Sequence, residues 1–213
     1  MKRLVAIGSL LMAAALFAAT FAWDFEKTPI GKVPKGWQVG VTNADTLPEW
    51  KVVGQRGNRV LLMAKPAVSG GVFGIGSVFN LCYTREAAAE DLDATVRFKA
   101  LSGREDQGGG IMWRVKDDGT YYVARFNPLE DNFNFYKVVR SHRSKIAGAR
   151  VKPAPGWHTM RIVQKGGRFE GYLDGKRILS ATDSSIEGRG GTGLWTKADA
   201  VTAFDDFRVK VLK

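Results

Sequence analysis

Residues 107–136, QGGGIMWRVKDDGTYYVARFNPLEDNFNFY, restrict the fold more than any other stretch, because they encode three consecutive antiparallel strands joined by tight turns. The first turn is centred on Asp118-Gly119, and an Asp-Gly pair between alternating runs is the strongest short-range signal for a hairpin. This turn predicts that Trp113 lies opposite Ala124. The second turn, Pro128 to Asp131, predicts that Arg125 lies opposite Asn134.

Cross-strand partners share a face of a sheet, so the two turns together sort the side chains of all three strands. One predicted face is apolar and belongs to a core; it holds Ile111, Trp113, Val115, Tyr122, Ala124, Phe126, Phe133 and Phe135. The other is mostly polar; it holds Met112, Arg114, Val123, Arg125, Asn127, Asn132, Asn134 and Tyr136. A slip of one residue would mix the two sets, so burial of the apolar face should fix the register.

The polar face combines side chains that suit a ligand surface. Guanidinium groups of Arg114 and Arg125 pair with carboxylate or sulfate groups. The amides of Asn127, Asn132 and Asn134 suit ring hydroxyls, and Tyr136 offers a face for stacking. Trp195 and Lys197, near the end of a later strand, are expected to border the same surface, although the sequence leaves open which side of that strand faces the core. The alternative is an ordinary solvated face, since antiparallel sheets commonly expose one side to water.

The rest of the chain also reads as strands separated by Gly- and Pro-containing turns. Strands are predicted at about 37–42, 50–54, 59–65 and 93–101, with a glycine-rich loop at 69–76 and several further strands after Pro155. Glu86 to Glu90 is the only helix-like piece and is too short for a stable helix, so a turn is expected there. About a dozen strands at this spacing predict an all-β sandwich or barrel.

The first 22 residues have the pattern of a secretory signal peptide: Lys2 and Arg3, then an apolar run, then small residues. We therefore expect a signal peptide at 1–22, a single β-sandwich domain at 23–213, and a periplasmic or secreted protein; an uncleaved membrane anchor is the alternative. No later stretch is long and apolar enough to span a bilayer.

Charge and cysteine content narrow the range of partners and chemistry. The net charge is +11, which favours acidic glycans or lipid phosphates as partners, and no nucleic-acid-binding motif is present. The only cysteine, Cys82, lies in an alternating strand and is interpreted as a small buried hydrophobe, with no disulfide and no catalytic use. Oligomeric state is not predicted.

Three motifs in the second half of the sequence resemble a known family. They are Gly-Trp-His-Thr at 156–159, Tyr-Leu-Asp-Gly at 172–175 and Phe-Asp-Asp-Phe at 204–207. The pattern resembles concanavalin A-like jelly-roll domains, most closely the bacterial secreted keto-disaccharide hydrolase family, over nearly the whole mature chain. The resemblance implies an all-β, concanavalin A-like jelly-roll sandwich of two antiparallel sheets, with a concave face that holds sugar. His158 itself is interpreted as structural.

The resemblance does not carry an obvious catalytic set. Laminarinase-type relatives of this fold place acidic residues at alternate positions of one strand, and the nearest string here, at 90–95, lacks the closing glutamate. A glycosidase needs two carboxyl groups across the scissile bond. The candidates are Glu130 and Asp131 in the second turn, and Glu105 just before the first of the three strands.

Some relatives hold a structural calcium ion between the first and last strands, and hard oxygen ligands suit that ion. Asp24, Glu26 and Asp205, with Asp206 beside it, are the candidates for such a site in this chain. The alternative is that the acidic pair at 205–206 only marks the start of a strand. No cofactor is otherwise required.

Three functions remain open from the sequence. The first is an exported carbohydrate-binding domain that holds a glycan, including an acidic one, on the concave face. The second is a glycoside hydrolase or lyase acting on keto-sugar or other disaccharides. The third is a non-catalytic envelope-adhesion domain that uses the basic segment from Arg140 to Lys145.

Overall fold

The protein is a sandwich of two antiparallel sheets in a computed structural model that describes residues 18–67 and 77–212. The described residues form fifteen strands. They are β1 (Thr20–Trp23), β2 (Trp37–Thr42), β3 (Glu49–Gln55), β4 (Asn58–Lys65), β5 (Phe79–Ala89), β6 (Leu92–Ser102), β7 (Gly109–Asp117), β8 (Thr120–Asn127), β9 (Asn132–Val139), β10 (His142–Arg150), β11 (His158–Lys165), β12 (Arg168–Leu173), β13 (Lys176–Thr182), β14 (Gly190–Lys197) and β15 (Val201–Val211). The predicted all-β class is confirmed.

The strands divide into an eight-stranded back sheet and a seven-stranded front sheet. The back sheet has the order β13-β12-β11-β6-β15-β4-β3, with β1 paired to β15. The front sheet has the order β10-β9-β8-β7-β14-β5-β2. Neighbours along the chain are often not neighbours in a sheet, so the chain crosses repeatedly between the two layers, as in a jelly roll.

The main core lies between the sheets and is rich in aromatic rings. Tyr122 packs edge-on against Phe169 of the back sheet, with ring centroids 4.8 Å apart, and Trp113 packs against the same ring at 5.5 Å. The Trp113 indole N–H donates to the side chain of buried Gln164, which satisfies both polar groups inside the core. Cys82 is buried in this core with a free thiol, as predicted, and burial raises its pKa.

The predicted register of the second hairpin is confirmed throughout. Arg125 pairs with Asn134, and Phe126 pairs with Phe133. Phe133 and Phe135 point into the main core, whereas Asn134 and Tyr136 point to the outer face of the front sheet. The turn residues and the alternation of side chains were sufficient to fix this part of the fold.

The predicted register of the first hairpin is right at its turn and wrong beyond it. Asp117 pairs with Thr120, but Trp113 then pairs with Tyr122 instead of Ala124. A bulge in β7 separates the two pairs, and Arg114 within it has a φ of +47°. The bulge reverses the alternation, so Val115 joins the outer face rather than the core.

A non-local contact accommodates this bulge. Gly190 of β14 passes so close to the backbone of β7 that a Cβ at position 190 would lie 2.4 and 2.6 Å from two Arg114 atoms and 2.7 Å from the Val115 nitrogen. Only glycine permits that approach, and β14 has its own irregularity between Gly191 and Gly193.

The expected turn at Glu86–Glu90 is instead the end of a long strand. β5 continues to Ala89, and both Ala87 and Ala89 are buried in the main core. Alanine has little intrinsic preference for strands, but pairing of Ala89 with Gly190 and burial of its side chain override that preference. The predicted glycine-rich loop at 69–76 lies outside the described residues.

The front sheet curls until its two edges meet. Seven strands at a spacing of about 4.8 Å would hold the edges of a flat sheet roughly 30 Å apart. Yet Asn43, directly after β2, donates to the backbone oxygen of Ser141, directly before β10, at 3.2 Å. The guanidinium of Arg143 in β10 also lies 5.1 Å from the ring centroid of Phe79 in β5. The outer face of the front sheet is therefore strongly concave.

Much of this concave face forms a second apolar core. Its buried residues are Phe79, Leu81, Tyr83, Met112, Val115, Tyr121, Val123, Tyr136, Val138 and Trp195. The Tyr121 hydroxyl bonds to Thr42 of β2 at 2.9 Å and accepts from the Trp195 indole at 3.1 Å. These bonds link strands from both halves of the sheet and hold the curl.

The start of the described chain bears on the domain boundary. Residues 20–23 form β1 and pair with β15, so a cleavage after Ala22 would remove most of that strand. Residues 1–17, which carry most of the predicted signal peptide, lie outside the described part. Across the residues that are described, no helix has the length and apolarity to cross a membrane.

The Asp183 carboxylate stabilises the fold, and its contribution to the free energy of unfolding depends on pH. It accepts hydrogen bonds from the Tyr122 hydroxyl at 2.7 Å, the Ser185 backbone at 2.8 Å and the Lys137 ammonium at 2.7 Å. Burial acts to raise its pKa, but these donors outweigh burial and lower the pKa of Asp183 to about 2. The unfolded chain binds this proton at a pKa of about 3.9, so the bonds stabilise the fold above that pH and their effect is lost as pH falls toward 2.

We therefore expect Asp183→Asn to be less stable than the unaltered protein by about 2 kcal/mol at neutral pH. Between pH 4 and 2 this difference should shrink, because the unaltered protein loses the contribution and the variant has none to lose. Urea unfolding at a series of pH values measures it. Glu187→Gln changes an exposed residue of the same loop and is the control. Its free energy of unfolding should fall between pH 4 and 2 as steeply as that of the unaltered protein. An equally steep fall for Asp183→Asn would contradict the assignment.

Candidate functional site

The polar side chains of the concave face form one connected group, here called the polar cluster. Residues of β8 and β9 form its centre, and the last residue of β14, Lys197, belongs to it. The β6–β7 and β8–β9 connections contribute its acidic residues, Asp106 and Glu130. Its members are Asp106, Arg125, Asn127, Glu130, Asn132, Asn134, Tyr136 and Lys197. Alternation along β8 and β9 places alternate residues here, which is why three asparagines and an arginine gather on one face.

Arg125 is the centre of the polar cluster. Its side chain is only 2% exposed, and its Nη2 lies 3.2 Å from Asp106 Oδ1 and 3.0 Å from Glu130 Oε2. Lys197 Nζ lies 2.8 Å from the other Asp106 oxygen. Two cations and two carboxylates thus neutralise each other, which is what a buried charged group requires.

The loop before β7 positions Asp106. The carboxylate of Asp199 accepts hydrogen bonds from three successive backbone N–H groups, those of residues 104, 105 and 106. Asn127 adds a bond to Asp106 Oδ1 at 3.1 Å. Burial raises the pKa of Asp106, and the charges of Arg125 and Lys197 only partly offset that effect.

Glu130 closes the polar cluster on its exposed side. Its carboxylate accepts from Arg125 and, at 2.7 Å, from the Asn132 amide. Burial acts to raise the pKa of Glu130, but the Asn132 bond and the Arg125 charge outweigh it, so the pKa is lowered. The side chain is 47% exposed, so an anionic oxygen is presented at the surface.

A chain of amides continues along β9. Asn134 donates to Asn132 Oδ1 at 2.8 Å and to the Tyr136 hydroxyl at 2.9 Å. The Tyr136 ring is covered by the Arg143 guanidinium, 4.5 Å from the ring centroid. Tyr136 is consequently held by contacts on its hydroxyl and on one ring face.

Besides Asp106 Oδ2, which faces the Lys197 ammonium, three buried polar atoms in this region have no hydrogen-bond partner among the described residues. They are Arg125 Nε, Asn134 Oδ1 and Arg143 Nη1. A buried polar group without a partner costs about 1–3 kcal/mol, so such groups are rare and mark positions where a small polar molecule can bind. Two are donors and one is an acceptor, a combination that suits hydroxyl groups.

The polar cluster reaches the surface at a shallow cleft of about 290 Å³, here called the mouth. It is lined by Glu130, Asn132, Asn134, Lys145, Gly148 and Arg150, with Asp131 and Ala149 at its border. Gly148 is required here because a Cβ at that position would lie 1.8 Å from Asn134 Oδ1. β10 can therefore cross directly over the Asn134 amide.

Most of the predicted ligand residues come together. Arg125, Asn127, Asn132, Asn134, Tyr136 and Lys197 all belong to the polar cluster. Several of them are deeply buried, with Arg125 1% and Asn127 0% exposed, so they support the surface residues from behind. Of the predicted ligand residues, Asn132 and Asn134 line the mouth, and two of the predicted catalytic acids, Glu130 and Asp131, line it with Lys145.

Arg114 and Trp195 do not join them. The β7 bulge directs Arg114 away, and its guanidinium donates to three backbone oxygens, those of Glu90, Gly166 and Ile186. It ties together three connections between strands and does not share a surface with Arg125. Trp195 does face the concave side, with Leu194 toward the main core, but it is fully buried.

The three predicted catalytic acids are separated. Glu130 lies in the polar cluster. Asp131 faces Lys152 and Arg150, at 3.3 and 3.8 Å, and Glu105 is exposed in the loop that Asp199 organises. Asp106, Arg143 and Lys145 were not among the predicted site residues. The pattern of the β9–β10 hairpin could have identified Arg143 and Lys145, because residues on β10 pair with residues on β9.

The proposed calcium ligands do not converge. Glu26 Oε1 accepts from the Arg59 backbone at 2.6 Å, and Asp205 Oδ2 accepts from Asn58 at 2.9 Å and faces Arg97 at 3.6 Å. Within 18–67 and 77–212, no group of three or more His, Cys, Asp or Glu side chains is arranged to hold a metal ion. Asp24, Glu26 and Asp205 therefore do not fit a calcium site in this arrangement.

Comparison with known proteins places this geometry in context. The model of a family described as the 3-keto-alpha-glucoside-1,2-lyase-like domain matches residues 32–210. The carbohydrate binding module CBM66 from Bacillus subtilis is 22% identical, with a TM-score of 0.61, over 81% of this chain and 94% of that one. Cip1, a cellulose induced protein, is 12% identical, with a TM-score of 0.61, over 89% of this chain and 96% of that one.

A third similar structure is the GH43 protein BlXynB from Bacillus licheniformis, 14% identical, with a TM-score of 0.59, over 90% of this chain and 39% of that one. None of the curated proteins matches the chain. At these identities the likeness to solved structures concerns the fold, and it confirms the concanavalin A-like jelly-roll sandwich.

The ion pairs of Arg125 predict a specific pattern of stability. Arg125→Met should lower the free energy of unfolding by about 3–5 kcal/mol, because it leaves two carboxylates without their shared cation, one of them buried. Glu130→Gln should cost about 1 kcal/mol or less, because Glu130 is half exposed. Urea unfolding measures both.

A double-mutant cycle with Asp106→Asn tests the coupling directly. The two substitutions together should cost less than the sum of the single effects by at least about 1 kcal/mol. Simple additivity would show that the two side chains do not stabilise each other.

Proposed function

Since the chain belongs to the 3-keto-alpha-glucoside-1,2-lyase-like domain family, we propose that it is an exported carbohydrate-binding domain that holds a glycan at the mouth of the polar cluster. The observation that carries the proposal is the set of buried polar atoms without partners behind a surface of amide and carboxylate groups. One of the similar structures is a carbohydrate binding module, which is in keeping with the proposal.

Sugar hydroxyls both donate and accept hydrogen bonds, so they are best recognised by donors and acceptors placed side by side. The mouth offers this pairing. The Glu130 carboxylate accepts, while the Asn132 amide and the Lys145 ammonium donate. These groups are held in place by the polar cluster behind them, which lowers the entropy cost of binding.

Charge defines the class of glycan further. Arg125 is neutralised by Asp106 and Glu130, so it is not free to pair with an acidic sugar. Lys145 and Arg150, in contrast, line the exposed side of the mouth. The glycan is therefore bound through its hydroxyl groups, and a carboxylate or sulfate on a neighbouring residue of the glycan strengthens binding through these two side chains.

Substitutions at the mouth should separate binding from stability. Asn132→Ala and Lys145→Ala should each weaken glycan binding about tenfold, the loss of roughly 1.4 kcal/mol expected for one or two hydrogen bonds in a shielded site. A glycan array with the mature protein identifies the ligand, and titration calorimetry measures the dissociation constants.

Arg168→Ala is the matched control, because Arg168 is 63% exposed on the back sheet. It should leave binding unchanged, and all three variants should melt within a few degrees of the unaltered protein. Equal binding by Asn132→Ala, Lys145→Ala and the control would reject the mouth as the binding site.

A second candidate function, cleavage of a glycosidic bond, has one observation in its favour. Asp106 and Glu130 both lie within 3.2 Å of the same Arg125 nitrogen, and their pKa values are shifted in opposite directions. Two neighbouring carboxyl groups with separated pKa values are the usual basis of acid–base catalysis. Glu130, anionic and half exposed, would act as the base or nucleophile.

Incubation of the protein with 3-keto-α-glucosides and with unmodified disaccharides tests this candidate. Glu130→Gln should abolish product formation while retaining the ability to bind the glycan. A protein that binds these sugars and releases no product is a binding domain only.

A further inference from the structure

A second opening lies at the end of the sandwich, between the two sheets. It is an enclosed cleft of about 230 Å³, here called the end cleft. Its walls include Phe98, Phe126, Pro128, Pro153, Pro155 and His158. It shares only Asp131 with the mouth, and the β8–β9 turn separates the two.

One polar ring stands among these apolar walls. The His158 imidazole packs against Phe98 and Phe126, with centroid distances of 5.9 and 5.7 Å. Its Nδ1 lies 2.8 Å from Asp174 Oδ2. In the described part of the chain, no polar group bonds to its other nitrogen, Nε2.

Asp174 is itself held in place. Its Oδ1 accepts from the Thr159 backbone N–H, and its own backbone N–H donates to the Thr159 oxygen, both at 2.8 Å. Its φ of +50° places it in the tight turn between β12 and β13. Because the carboxylate accepts from Nδ1–H, the neutral ring presents Nε2 as a hydrogen-bond acceptor in a fixed orientation.

A charged pair borders the same cleft. Lys152 Nζ lies 3.3 Å from Asp131 Oδ2, and both residues line the opening. The end cleft therefore combines aromatic and proline surfaces with one oriented acceptor and an accessible donor. An apolar cavity with a few converging polar groups is the usual form of a small-ligand site.

We propose that the end cleft is a second ligand site, separate from the mouth, that takes a single sugar ring. The ring's C–H face packs on Phe126 and the prolines, one hydroxyl donates to His158 Nε2, and another accepts from Lys152. At about 230 Å³ the end cleft is smaller than the roughly 300–1,000 Å³ of sites for drug-sized ligands, so the proposal is limited to one sugar ring.

A purely structural role for His158 makes a different prediction. The bonds between His158, Asp174 and Thr159 would fix the β12–β13 turn whether or not a cleft lay beside the imidazole. That role requires no cavity against the ring and no accessible Nε2. Ligand-dependent changes at Nε2 therefore separate the two roles.

The chain has only two histidines, so the imidazole nitrogens can be observed individually. Long-range ¹H–¹⁵N spectra of the uniformly labelled protein are recorded during titration with glucose, fructose and their methyl glycosides. At least one of these probes should shift the Nε2 signal of His158 saturably, while His142, exposed in β10, stays fixed as the internal control.

Ala154→Phe adds a bulky ring to the cleft wall and leaves His158 and Asp174 unaltered in sequence, and Ala154 is exposed, so the larger side chain does not have to enter a packed core. It should raise the dissociation constant at least tenfold, and Lys145→Ala, at the mouth, should leave it within twofold. The proposal is overturned if no probe shifts the Nε2 signal of His158, or if Ala154→Phe binds the probe as tightly as the unaltered protein. It is also overturned if Lys145→Ala raises the dissociation constant measured at His158 as much as Ala154→Phe does. Failure here leaves binding at the mouth untouched, since that is measured by calorimetric titration with the glycan and not by the His158 signal.

Discussion

The curl of the front sheet is the constraint on which the rest of the structure depends. A flat sheet would leave the outer face of β8 and β9 in water, where arginine and asparagine side chains need no partners. Closure of β10 toward β5 and β2 instead buries that face. Its apolar half becomes a second core, and its polar half must find partners inside the protein. The ion pairs of Arg125 are the consequence of that burial.

Burial also decides which polar residues are available for function. The charged groups of the polar cluster are paired with one another, so Arg125 and Asp106 cannot rearrange around a ligand without exposing unpaired charge. Recognition therefore falls to the residues at its surface, Glu130, Asn132, Asn134 and Lys145, while Arg125 and Asp106 fix their positions. Glu130 illustrates the division: one of its oxygens is occupied by Arg125 and Asn132, and the side chain is still half exposed.

The sequence predicted those parts of this arrangement that depend on local geometry. The β8–β9 hairpin was derived correctly because its turn and its alternation are encoded within the two strands and the turn between them, and six of the eight predicted ligand residues gather as expected. Arg114 was misplaced because its bulge depends on Gly190, a partner 76 positions away that no local pattern reveals. Burial of Arg125 was also missed, since it arises from the curl of the whole sheet, and the contribution of Asp106 depends on its distant partner Asp199.

The β8–β9 turn shows how adjacent residues come to serve different surfaces. Glu130 turns back over β8 to meet Arg125, whereas Asp131, with a φ of +50°, is directed toward Lys152 and the end cleft. Similarly, the Gly-Trp-His-Thr and Tyr-Leu-Asp-Gly motifs, at the start of β11 and the end of β12, meet in the contact between His158 and Asp174, which are 16 residues apart. A motif that maintains a fold can thus also orient a polar group beside a cavity, because the carboxylate that bonds to the Thr159 backbone also bonds to the imidazole.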